Sequence, residues 1–391
     1  MCDVLHTQNM IPNGNLPHPD REETRKNSMP TGFDLDQYLT QGVESIVKDA
    51  LAASLKNPKE TAFLLSYALA GKRAAAARQR FAQEGKHIPS FLIASITNRC
   101  NLHCAGCYAR ANSICDDAET TALLTDEDWG RIFAEASDIG VSFCLLAGGE
   151  PMMRRGVLEQ AAKRREILFP VFTNGTLLSE SMLDLLDQNR NLVPIVSIEG
   201  NEQQTDARRG AGTYGKLTAN MDRMREKGIL FGASVTLTTE NITTVTGDAF
   251  LSQLRALGAK VAFFVDYVPA DAGTEALAPG DAERDYLARR LDELRAVQDG
   301  MIYVSFPGDE QFSDGCLAAG RGFFHINPTG GAEPCPFSPV SDTNLKHTSL
   351  LSALESPLFT RLRASELLSG HHNGACALFG KDEELAAMCG D

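Results

Sequence analysis

The sequence is short of basic residues and of long apolar runs. It holds 37 Lys and Arg against 51 Asp and Glu, for a formal net charge of −14. A nucleic-acid-binding protein needs a basic face to neutralise phosphates, so this charge argues against a nucleic-acid partner. No apolar run reaches membrane-spanning length, and the N-terminus carries no secretory pattern. We therefore expect a cytoplasmic protein.

Disulfide bridges are a further feature that we do not expect. Ten cysteines could pair, but the cysteines of a cytosolic chain are more often metal ligands than bridges. The composition is that of a globular protein, with 43% hydrophobic and 23% charged residues. A length of 391 residues suits one barrel-sized domain with smaller attachments.

Three cysteines stand close together near position 100. Cys100, Cys104 and Cys107 have the spacing C-x3-C-x2-C, which can hold three irons of a [4Fe–4S] cube. The fourth iron then has no obvious protein ligand nearby, and an open iron can bind a chelating small molecule, much as catalytic metal sites keep a free position. A structural zinc site with Cys115 or His103 as the fourth ligand is the alternative.

Beyond position 85, apolar strands alternate with amphipathic helices, which is typical of parallel βα units. Strands are predicted at Phe91–Thr97, Ser142–Ala147, Leu168–Thr173, Val193–Ile198, Leu230–Leu237 and Lys260–Val268. Helices are predicted near 157–166, 180–188, 215–227, 248–257 and 281–298, and one more runs from a capping box at Thr125–Asp128 to Gly140. The first strand delivers the cysteine loop at its end, where sites of such folds lie.

Polar motifs follow the next three strands. They are Gly148, Gly149 and Glu150 after the second strand, Asn174 after the third, and Ser197 and Glu199 at the end of the fourth. Glycines let a ligand approach the backbone closely, and a carboxylate can accept hydrogen bonds from an ammonium group. Plain strand-to-helix turns and helix capping are the alternatives.

With these motifs, the sequence resembles the radical S-adenosylmethionine (AdoMet) enzymes, from about Phe91 to the C-terminus. The stretch Ser197-Ile-Glu-Gly200, followed by Arg208-Arg209-Gly210, is similar to a signature of the SPASM and twitch subfamilies. The resemblance implies an α/β fold with a partial (β/α)6 TIM-like barrel and a [4Fe–4S] cluster whose open iron is chelated by AdoMet. It also implies that Glu150 receives the AdoMet amino group and that Arg209 contacts the AdoMet carboxylate.

In that family, the reduced cluster cleaves AdoMet to methionine and a 5′-deoxyadenosyl radical, which abstracts hydrogen from a substrate. The resemblance thus implies an enzyme that modifies a peptide, a protein, a small molecule or a lipid, with a reductant such as flavodoxin or ferredoxin as partner. Asp266 and Tyr267 end the sixth strand and are candidate catalytic groups, with a buried capping carboxylate as the alternative. The alternative function is an iron–sulfur electron carrier or redox sensor without radical catalysis.

Four further cysteines lie in the last eighty residues. Cys316 and Cys335 have the form C-x13-G-x4-C around a predicted hairpin turn, and Cys376 and Cys389 follow downstream. This region resembles the auxiliary-cluster domains of SPASM and twitch enzymes but lacks the C-x2-C-x5-C run of a full SPASM domain. We therefore expect one auxiliary [4Fe–4S] cluster held by all four cysteines. His371 and His372 are alternative ligands.

The patterns divide the chain into four segments. They are a disordered tail at 1–30, a helical extension at 31–88, the partial barrel at 89–305 and a twitch- or SPASM-like auxiliary domain at 306–391. The extension carries Lys72, Arg73, Arg78 and Arg80 on an alanine-rich surface, which could touch an anionic membrane. A helical pair packed on the barrel is the alternative.

Overall fold

The computed structural model describes residues 58–111, 115, 123–271, 273–297, 299–312, 315–368 and 376–389. The predicted tail, the first helix of the extension and the His371–His372 pair lie outside these residues. Among the helices that are described, none is both long and apolar enough to cross a membrane.

A nine-stranded sheet forms the centre of the described chain. Its strands are β1 (Phe91–Ser95), β2 (Phe143–Ala147), β3 (Phe169–Thr173), β4 (Leu192–Ser197), β5 (Gly232–Leu237), β6 (Val261–Asp266), β7 (Ile302–Phe306), β8 (His325–Ile326) and β9 (Ala332–Glu333). They lie in the order β7-β6-β5-β4-β3-β2-β1-β8-β9, and β8 with β9 is the antiparallel pair. Because β1 to β7 run parallel in sequential order, their C-terminal ends meet at one edge of the sheet.

Helices precede, connect and follow the strands, and those that connect the strands cover one face of the sheet. They are α1 (Pro58–Gln83), α2 (Tyr108–Ala111), α3 (Asp126–Ile139), α4 (Arg155–Ala162), α5 (Glu180–Gln188), α6 (Glu202–Arg209), α7 (Thr213–Glu226), α8 (Ile242–Val245), α9 (Asp248–Leu257), α10 (Asp281–Val297), α11 (Leu350–Leu354), α12 (Pro357–Ala364) and α13 (Asp382–Ala386). Short 3₁₀ turns lie at Pro151–Met153, Glu275–Leu277, Gly308–Phe312 and Glu366–Leu368.

The predicted α/β pattern is confirmed. All six predicted strands are present with bounds within two residues of those expected from the sequence. Helix α3 begins with the predicted capping box, in which Thr125 and Asp128 exchange side-chain and backbone hydrogen bonds. It ends at Gly140, whose φ of 97° is the left-handed conformation that glycine adopts without a steric penalty.

The sheet is larger than six βα units. β7 pairs with β6, and β8 pairs in parallel with β1 at Ile93 and His325, so the sheet grows at both edges. The predicted turn between Pro328 and Gly331 joins β8 to β9 as a hairpin. β8 has only two residues, which are too few positions for a periodic pattern to reveal it.

Two aromatic rings show that the sheet curves. Phe172 of β3 and Phe263 of β6 pack with their ring centroids 5.3 Å apart. Three strand spacings separate β3 from β6, which is about 14 Å in a flat sheet, so the sheet bends to bring these rings together. We call the face that carries Phe172 and Phe263 the inner face. Their strand neighbours Val171 and Phe264 point the other way and are fully buried against the helical layer.

Helix α1 packs across the N-terminal ends of the strands, opposite the cysteine loop. The Tyr67 hydroxyl donates to the carbonyl of Ser142, which precedes β2 (2.8 Å). Nearer the start of the helix, the buried carboxylate of Glu60 accepts from Arg190 (2.5 Å) and from the backbone amide of Leu230 (3.1 Å). The described part of the helical extension is therefore packed on the barrel, with a buried ion pair as its anchor.

Removing Arg190 should test this anchor. Arg190→Ala leaves the Glu60 carboxylate buried without its cation, which should lower the free energy of unfolding by about 3–5 kcal/mol. Arg155→Ala is the matched control, because Arg155 pairs with Glu159 on the surface and should cost at most about 1 kcal/mol. Urea unfolding followed by circular dichroism measures both variants. Equal losses would show that the Glu60–Arg190 pair is not an anchor.

Candidate functional site

The cysteine loop follows β1 at the C-terminal edge of the sheet. Cys100, Cys104 and Cys107 are free thiols, and all three are half-buried there. Burial raises the pKa of Cys100, although the backbone amide of Leu102 donates to its sulfur and favours the thiolate. Burial also raises the pKa of Cys104, against the opposing charges of Arg209 and Arg208. The loop therefore holds three potential ligands in one partly desolvated site.

At Gly148 and Gly149, the backbone after β2 lies in close contact with the backbone that leads into the cysteine loop. The amide of Gly149 donates to the Thr97 carbonyl, and the amide of Glu150 donates to the Arg99 carbonyl, both at 2.8 Å. A Cβ atom on Gly148 would lie 2.3 Å from the Thr97 oxygen, and one on Gly149 would lie 2.1 Å from the Arg99 oxygen. Only glycine fits these positions, so the two glycines hold the backbone that leads into Cys100.

The Glu150 carboxylate is fully buried and ties together two strand ends. One of its oxygens accepts from the amide of Met152 (3.0 Å) and the hydroxyl of Thr173 (2.7 Å), and the other accepts from the amide of Asn174 (2.8 Å). Burial raises the pKa of Glu150 despite these donors. A carboxylate offers about four acceptor positions, so these three bonds leave room for one further donor.

Asn174 links the end of β3 to the cysteine loop. Its amide nitrogen donates to the side-chain oxygen of Asn101, which follows Cys100 directly (2.9 Å). Its own side-chain oxygen accepts from the amide of Thr176 (2.9 Å), and the Asn101 amide donates to the Thr176 hydroxyl (2.9 Å). The side chain of Asn174 therefore supports the loop in this structure.

Glu199 lies beyond the end of β4 and binds both arginines of α6. Its carboxylate accepts from Arg208 (2.5 Å) and from the Nε of Arg209 (3.0 Å). Burial alone would raise the pKa of Glu199, but the two guanidinium charges outweigh it and lower the pKa. Burial likewise opposes the charge of Arg209, yet Glu199 and Cys104 raise its pKa. The three side chains form one charged group beside the thiols.

Arg208 also reaches the cysteine loop itself. Its Nε donates to the Ala105 carbonyl (3.2 Å), and the Ala105 amide donates back to the Arg208 carbonyl (2.8 Å). A second guanidinium nitrogen donates to the hydroxyl of Thr236 at the end of β5 (2.6 Å). The sequence marked Arg208 only as part of a motif, and its position beside Arg209 was the signal that pointed to it.

Asp266 and Tyr267 end β6 but face in opposite directions. Asp266 contacts Arg284 of α10 (3.2 Å), on the helical side. Tyr267 lies toward the cysteine loop, where a Cβ atom on Gly106 would touch its ring and hydroxyl at 2.8 Å. The Tyr267 hydroxyl is buried and has no hydrogen-bond partner within the described chain. Of the two candidate catalytic residues, Tyr267 is therefore the one that lies next to the cysteine loop.

Ser197 ends β4 on the inner face. It lies in register with Ser234 of β5, which in turn lies in register with Phe263 of β6. In-register residues of neighbouring parallel strands share a face, so these hydroxyls lie on the same side as the Phe172–Phe263 contact. The inner face is thus apolar along its length and polar at the edge that carries the cysteine loop.

A second group of cysteines lies after β7. The Cys376 thiol shares a hydrogen bond with the Cys335 thiol, and the charges of Cys316 and Cys376 both act on Cys335. Backbone amides donate to each sulfur, from Ala318 to Cys316, from Phe337 to Cys335 and from Leu378 to Cys376. Amide donors that approach sulfur in this way favour the thiolate form and suit iron–sulfur ligation.

Cys389 lies apart from that group. It follows α13, with its sulfur 3.9 Å from the Leu385 carbonyl. The charged side chains that act on it are Asp342 and Arg361, and Arg361 also donates to the carbonyl of Met388 (3.0 Å). Its role as a ligand stays a prediction.

Glu310, which lies beside the second cysteine group, was not predicted from the sequence. It is buried in the 3₁₀ turn after β7, and burial raises its pKa to about 8. A hydrogen bond joins its carboxyl group to Cys316, and the charge of Cys376 acts on it as well. The turn has too little periodicity to single out one carboxylate from the sequence.

Two aromatic side chains connect the two cysteine groups. Tyr108, which follows Cys107, packs its ring 4.9 Å from that of Phe337, which follows Cys335 by two positions. Burial raises the pKa of Tyr108, and the charges of Cys107 and Cys335 raise it further. Both cysteine groups therefore lie within electrostatic reach of one aromatic side chain.

The two cysteine groups suit iron–sulfur clusters better than single ions. Among the residues that the structure describes, no three His, Cys, Asp or Glu side chains are placed to ligate one metal ion, so the zinc alternative finds no site there. In a [4Fe–4S] cube each thiolate binds a different iron, so the ligands stand further apart than they would around one ion. The first group, which is half-buried, and the second, in which Cys316 and Cys335 are buried, both have amide donors to sulfur that fit such a cube.

Comparison with known proteins gives a family match over the middle of the chain. Residues 94–249 match the model of the radical SAM superfamily. The chain is 28% identical to an AdoMet-dependent heme synthase from Methanosarcina barkeri, over 72% of this chain and 87% of that protein. It is 27% identical to a PqqA peptide cyclase from Rhizobium meliloti, over 71% of this chain and 77% of that protein.

A solved structure supports the fold. The crystal structure of Streptococcus suis SuiB bound to the precursor peptide SuiA superposes with a TM-score of 0.60 at 17% sequence identity. The match covers 75% of this chain and 70% of SuiB. The partial-barrel fold predicted from the sequence is therefore confirmed.

A methyl group at position 149 should displace the cysteine loop. In Gly149→Ala the new Cβ would meet the Arg99 carbonyl, which is backbone and cannot move aside without moving Cys100. After anaerobic reconstitution the variant should hold about four irons fewer per chain, the content of one cube. Gly215→Ala is the control, because its Cβ meets no atom within 4 Å, and it should keep full iron content. Unchanged iron in Gly149→Ala would refute the close-contact role.

The buried carboxylate of Asp266 should make stability depend on pH. Burial raises its pKa from 3.8 to about 6, against the charge of Arg284, so the folded chain holds this proton more tightly than the unfolded chain. The contribution of Asp266 to the free energy of unfolding is therefore lost as the pH rises from 3.8 to about 6. Between about pH 5 and about pH 7.5, the wild type should lose about 1 kcal/mol more unfolding free energy than Asp266→Asn.

Urea unfolding at the two pH values measures this difference. Asp248→Asn, which changes an exposed carboxylate, should lose as much unfolding free energy between the two pH values as the wild type does. If the wild type and Asp266→Asn lose the same unfolding free energy between the two pH values, Asp266 does not hold its proton in the folded chain.

Proposed function

Because the chain carries a radical SAM domain and is a radical SAM enzyme related to the SPASM/twitch-type members, we propose that Cys100, Cys104 and Cys107 hold the AdoMet-binding cluster. When bound, the reduced [4Fe–4S] cluster supplies the electron that cleaves AdoMet to methionine and a 5′-deoxyadenosyl radical, which abstracts hydrogen from the substrate. The family match favours this function over an electron carrier or redox sensor, which would need cluster ligands but not the polar strand ends around them.

The observation that carries this proposal is the attachment of the cysteine loop to four strand ends. The loop is held by Gly149 after β2, by Asn174 after β3, by Arg208 of α6 after β4, and by packing of Tyr267 after β6. A loop held in this way keeps its three thiols in one geometry, as a site that orients a ligand requires. A structural metal loop would not need contacts from so many strands.

We assign the AdoMet contacts to the charged and polar groups beside the thiols. Glu150 has one acceptor position left for the AdoMet amino group, and Gly148 and Gly149 let that group approach the backbone. Arg209, held by Glu199, offers its remaining guanidinium nitrogen to the AdoMet carboxylate. Ser197 at the inner face is the candidate for a ribose contact, and Asn174 acts through the loop.

Tyr267 is our candidate for contact with the substrate. Its hydroxyl is buried and without a partner in the described chain, and a buried hydroxyl in that state costs about 1–3 kcal/mol. A polar ligand group that pairs with this hydroxyl would recover that cost and would be aligned beside the cysteine loop. Asp266, which contacts Arg284, would then position the end of β6 rather than touch the substrate.

A peptide is the first substrate class that we propose. Two PqqA peptide cyclases are each similar to this chain over 71% of its length, and their name states that they act on a peptide. The hydroxyls of Ser197, Ser234 and Tyr267 on or near the inner face are suitable partners for peptide carbonyl and amide groups.

A tetrapyrrole is the second substrate class. The specific observation in its favour is the match to an AdoMet-dependent heme synthase, of which the chain covers 87%. The apolar inner face with Phe172 and Phe263 suits a planar ring system, and aromatic rings pack well in offset or edge-on geometry.

We further propose one auxiliary [4Fe–4S] cluster at the second cysteine group, and a flavodoxin or ferredoxin as electron donor. The cytoplasm suits both oxygen-sensitive clusters. Contact with a membrane surface would fall to α1, where Leu65 and Leu69 are exposed on the same helix as Lys72 and Arg73.

The defining experiment is detection of 5′-deoxyadenosine after anaerobic reconstitution and reduction with dithionite. The wild type should produce it from AdoMet, and the triple variant Cys100→Ala, Cys104→Ala, Cys107→Ala should not. Cys144→Ala is the matched control, since its thiol is buried within β2, and it should retain activity. Product from the triple variant would refute the assignment. A peptide substrate and a tetrapyrrole are then distinguished by which compound stimulates 5′-deoxyadenosine formation.

A further inference from the structure

A buried polar chain runs from the end of β1 to the hairpin of β8 and β9. The Nε2 atom of His325 lies 2.8 Å from the Ser95 hydroxyl oxygen, and its Nδ1 atom lies 2.6 Å from one Glu333 oxygen. The side-chain amide of Asn327 donates to the other Glu333 oxygen (2.6 Å). Ser95, His325 and Glu333 are 2%, 1% and 3% exposed, so water has little access to these hydrogen bonds.

The partners of His325 assign its tautomer. The Glu333 carboxylate can only accept, so the Nδ1 atom of His325 carries the proton and donates to it. The Nε2 atom then accepts from the Ser95 hydroxyl. An apolar side chain at position 325 would fill the same space without orienting its neighbours. The imidazole instead holds both neighbours at hydrogen-bond distance and in a defined direction.

Both ends of this chain lie close in sequence to proposed cluster ligands. Ser95 is the last residue of β1, and Cys100 follows it by five positions. Glu333 is the last residue of β9, and Cys335 follows it by two positions. His325 therefore stands between the backbone that leads into the first cysteine loop and the backbone that leads into the second cysteine group.

The backbone connection between β1 and β8 is short. The two strands pair at two positions, because β8 has only two residues. The rings of Phe91 and Phe323 pack 5.1 Å apart at the start of β1, which is the end away from the cysteine loop. At the end toward the loop, the hydrogen bond between Ser95 and His325 extends the connection beyond the paired residues.

This arrangement gives the two cysteine groups a route for coupling. A ligand bound by Cys335 restricts the end of β9, and the polar chain passes that restriction to the end of β1, because a buried hydrogen bond is costly to break. The first cysteine loop takes its position from the end of β1. Its order therefore depends on the order of the backbone at Cys335.

We propose that His325 is a positioning residue that couples the two cysteine groups, so that the state of Cys335 changes how tightly the first loop binds AdoMet. This inference rests on the proposed AdoMet-binding cluster and on the proposed auxiliary cluster. The coupling runs through Glu333, His325 and Ser95. It is reciprocal, as any coupling between two binding sites is.

A double-mutant cycle between Cys335 and Ser95 tests the coupling through AdoMet binding. The full chain is reconstituted anaerobically, and equilibrium dialysis gives the dissociation constant of AdoMet. Cys335→Ala removes a ligand of the auxiliary cluster, and Ser95→Ala removes one hydrogen bond of the polar chain. Each should weaken AdoMet binding about fivefold, at the low end of the range for coupled sites. The double variant should also be about fivefold weaker, because either change alone interrupts the route.

Three further variants make the outcome specific. His325→Leu interrupts the chain at its centre, and it should give the same result as Ser95→Ala both alone and combined with Cys335→Ala. His325→Gln should restore wild-type binding, because a carboxamide supplies a donor for Glu333 and an acceptor for Ser95. Ser305→Ala is the matched control, since it removes a buried strand hydroxyl outside the chain, and it should bind AdoMet as the wild type does.

Two measurements accompany each variant. Circular dichroism verifies the fold. The AdoMet concentration that half-changes the electron paramagnetic resonance signal of the reduced chain gives a second value for the affinity. A residue that only stabilises the fold would leave the two substitutions independent, so non-additivity is the readout that separates coupling from stability.

The possible failures are distinguishable. A double variant weaker by the product of the two single effects, about 25-fold, would show that the positions act independently and would overturn the coupling. Wild-type affinity in Ser95→Ala or in Cys335→Ala would overturn it too. If the wild type holds about four irons instead of about eight, the proposed auxiliary cluster fails, and the coupling fails with it. If the triple variant that lacks Cys100, Cys104 and Cys107 binds AdoMet as tightly as the wild type, the proposed AdoMet site is wrong, and the inference falls with that site.

Discussion

The arrangement of the site depends on the close contact between the end of β2 and the cysteine loop. Gly148 and Gly149 lie so near the carbonyls of Thr97 and Arg99 that no larger residue fits between the two backbones. Two hydrogen bonds of 2.8 Å seal this contact and place the first cysteine at a fixed distance from β2. Neighbouring strand ends then add their own contacts to a loop that is already positioned. The ligand geometry is therefore a property of the sheet, because the loop takes its position from strands that are themselves held by buried side chains.

Charge is the second constraint on this edge of the sheet. The carboxylates of Glu150 and Glu199 lie beside three thiols in a region of low hydration, where their negative charge would oppose folding without compensation. Arg208 and Arg209 supply it through Glu199, and Arg208 also binds the backbone between Cys104 and Cys107. Arg208 and Arg209, which are adjacent in α6, therefore have two roles. They neutralise the site, and they attach the loop to the ends of β4 and β5.

The sequence predicted those parts of the structure that have a local signature. Six strands, the capping box of α3 and the hairpin after β8 all arise from patterns within a few residues. The pairing of β8 with β1 could not be predicted, because two residues carry no period and the partner is more than two hundred positions away. The position of Glu310 beside Cys316 could not be predicted either, because nothing in its own turn distinguishes it from Asp309.

The pairing of β8 with β1 also determines how the two cysteine groups are related. His325 of β8 shares hydrogen bonds with Ser95 at the end of β1 (2.8 Å) and with Glu333 of β9 (2.6 Å), and all three side chains are buried. Ser95 leads into the first cysteine loop, and Glu333 leads directly to Cys335. The tilted rings of Tyr108 and Phe337, which lie beside Cys107 and near Cys335, make a second contact between the two groups. A buried polar chain and an aromatic contact thus join the two groups through rigid elements. Because the polar chain of Ser95, His325 and Glu333 is buried, movement of one group relative to the other would have to break hydrogen bonds that water cannot replace.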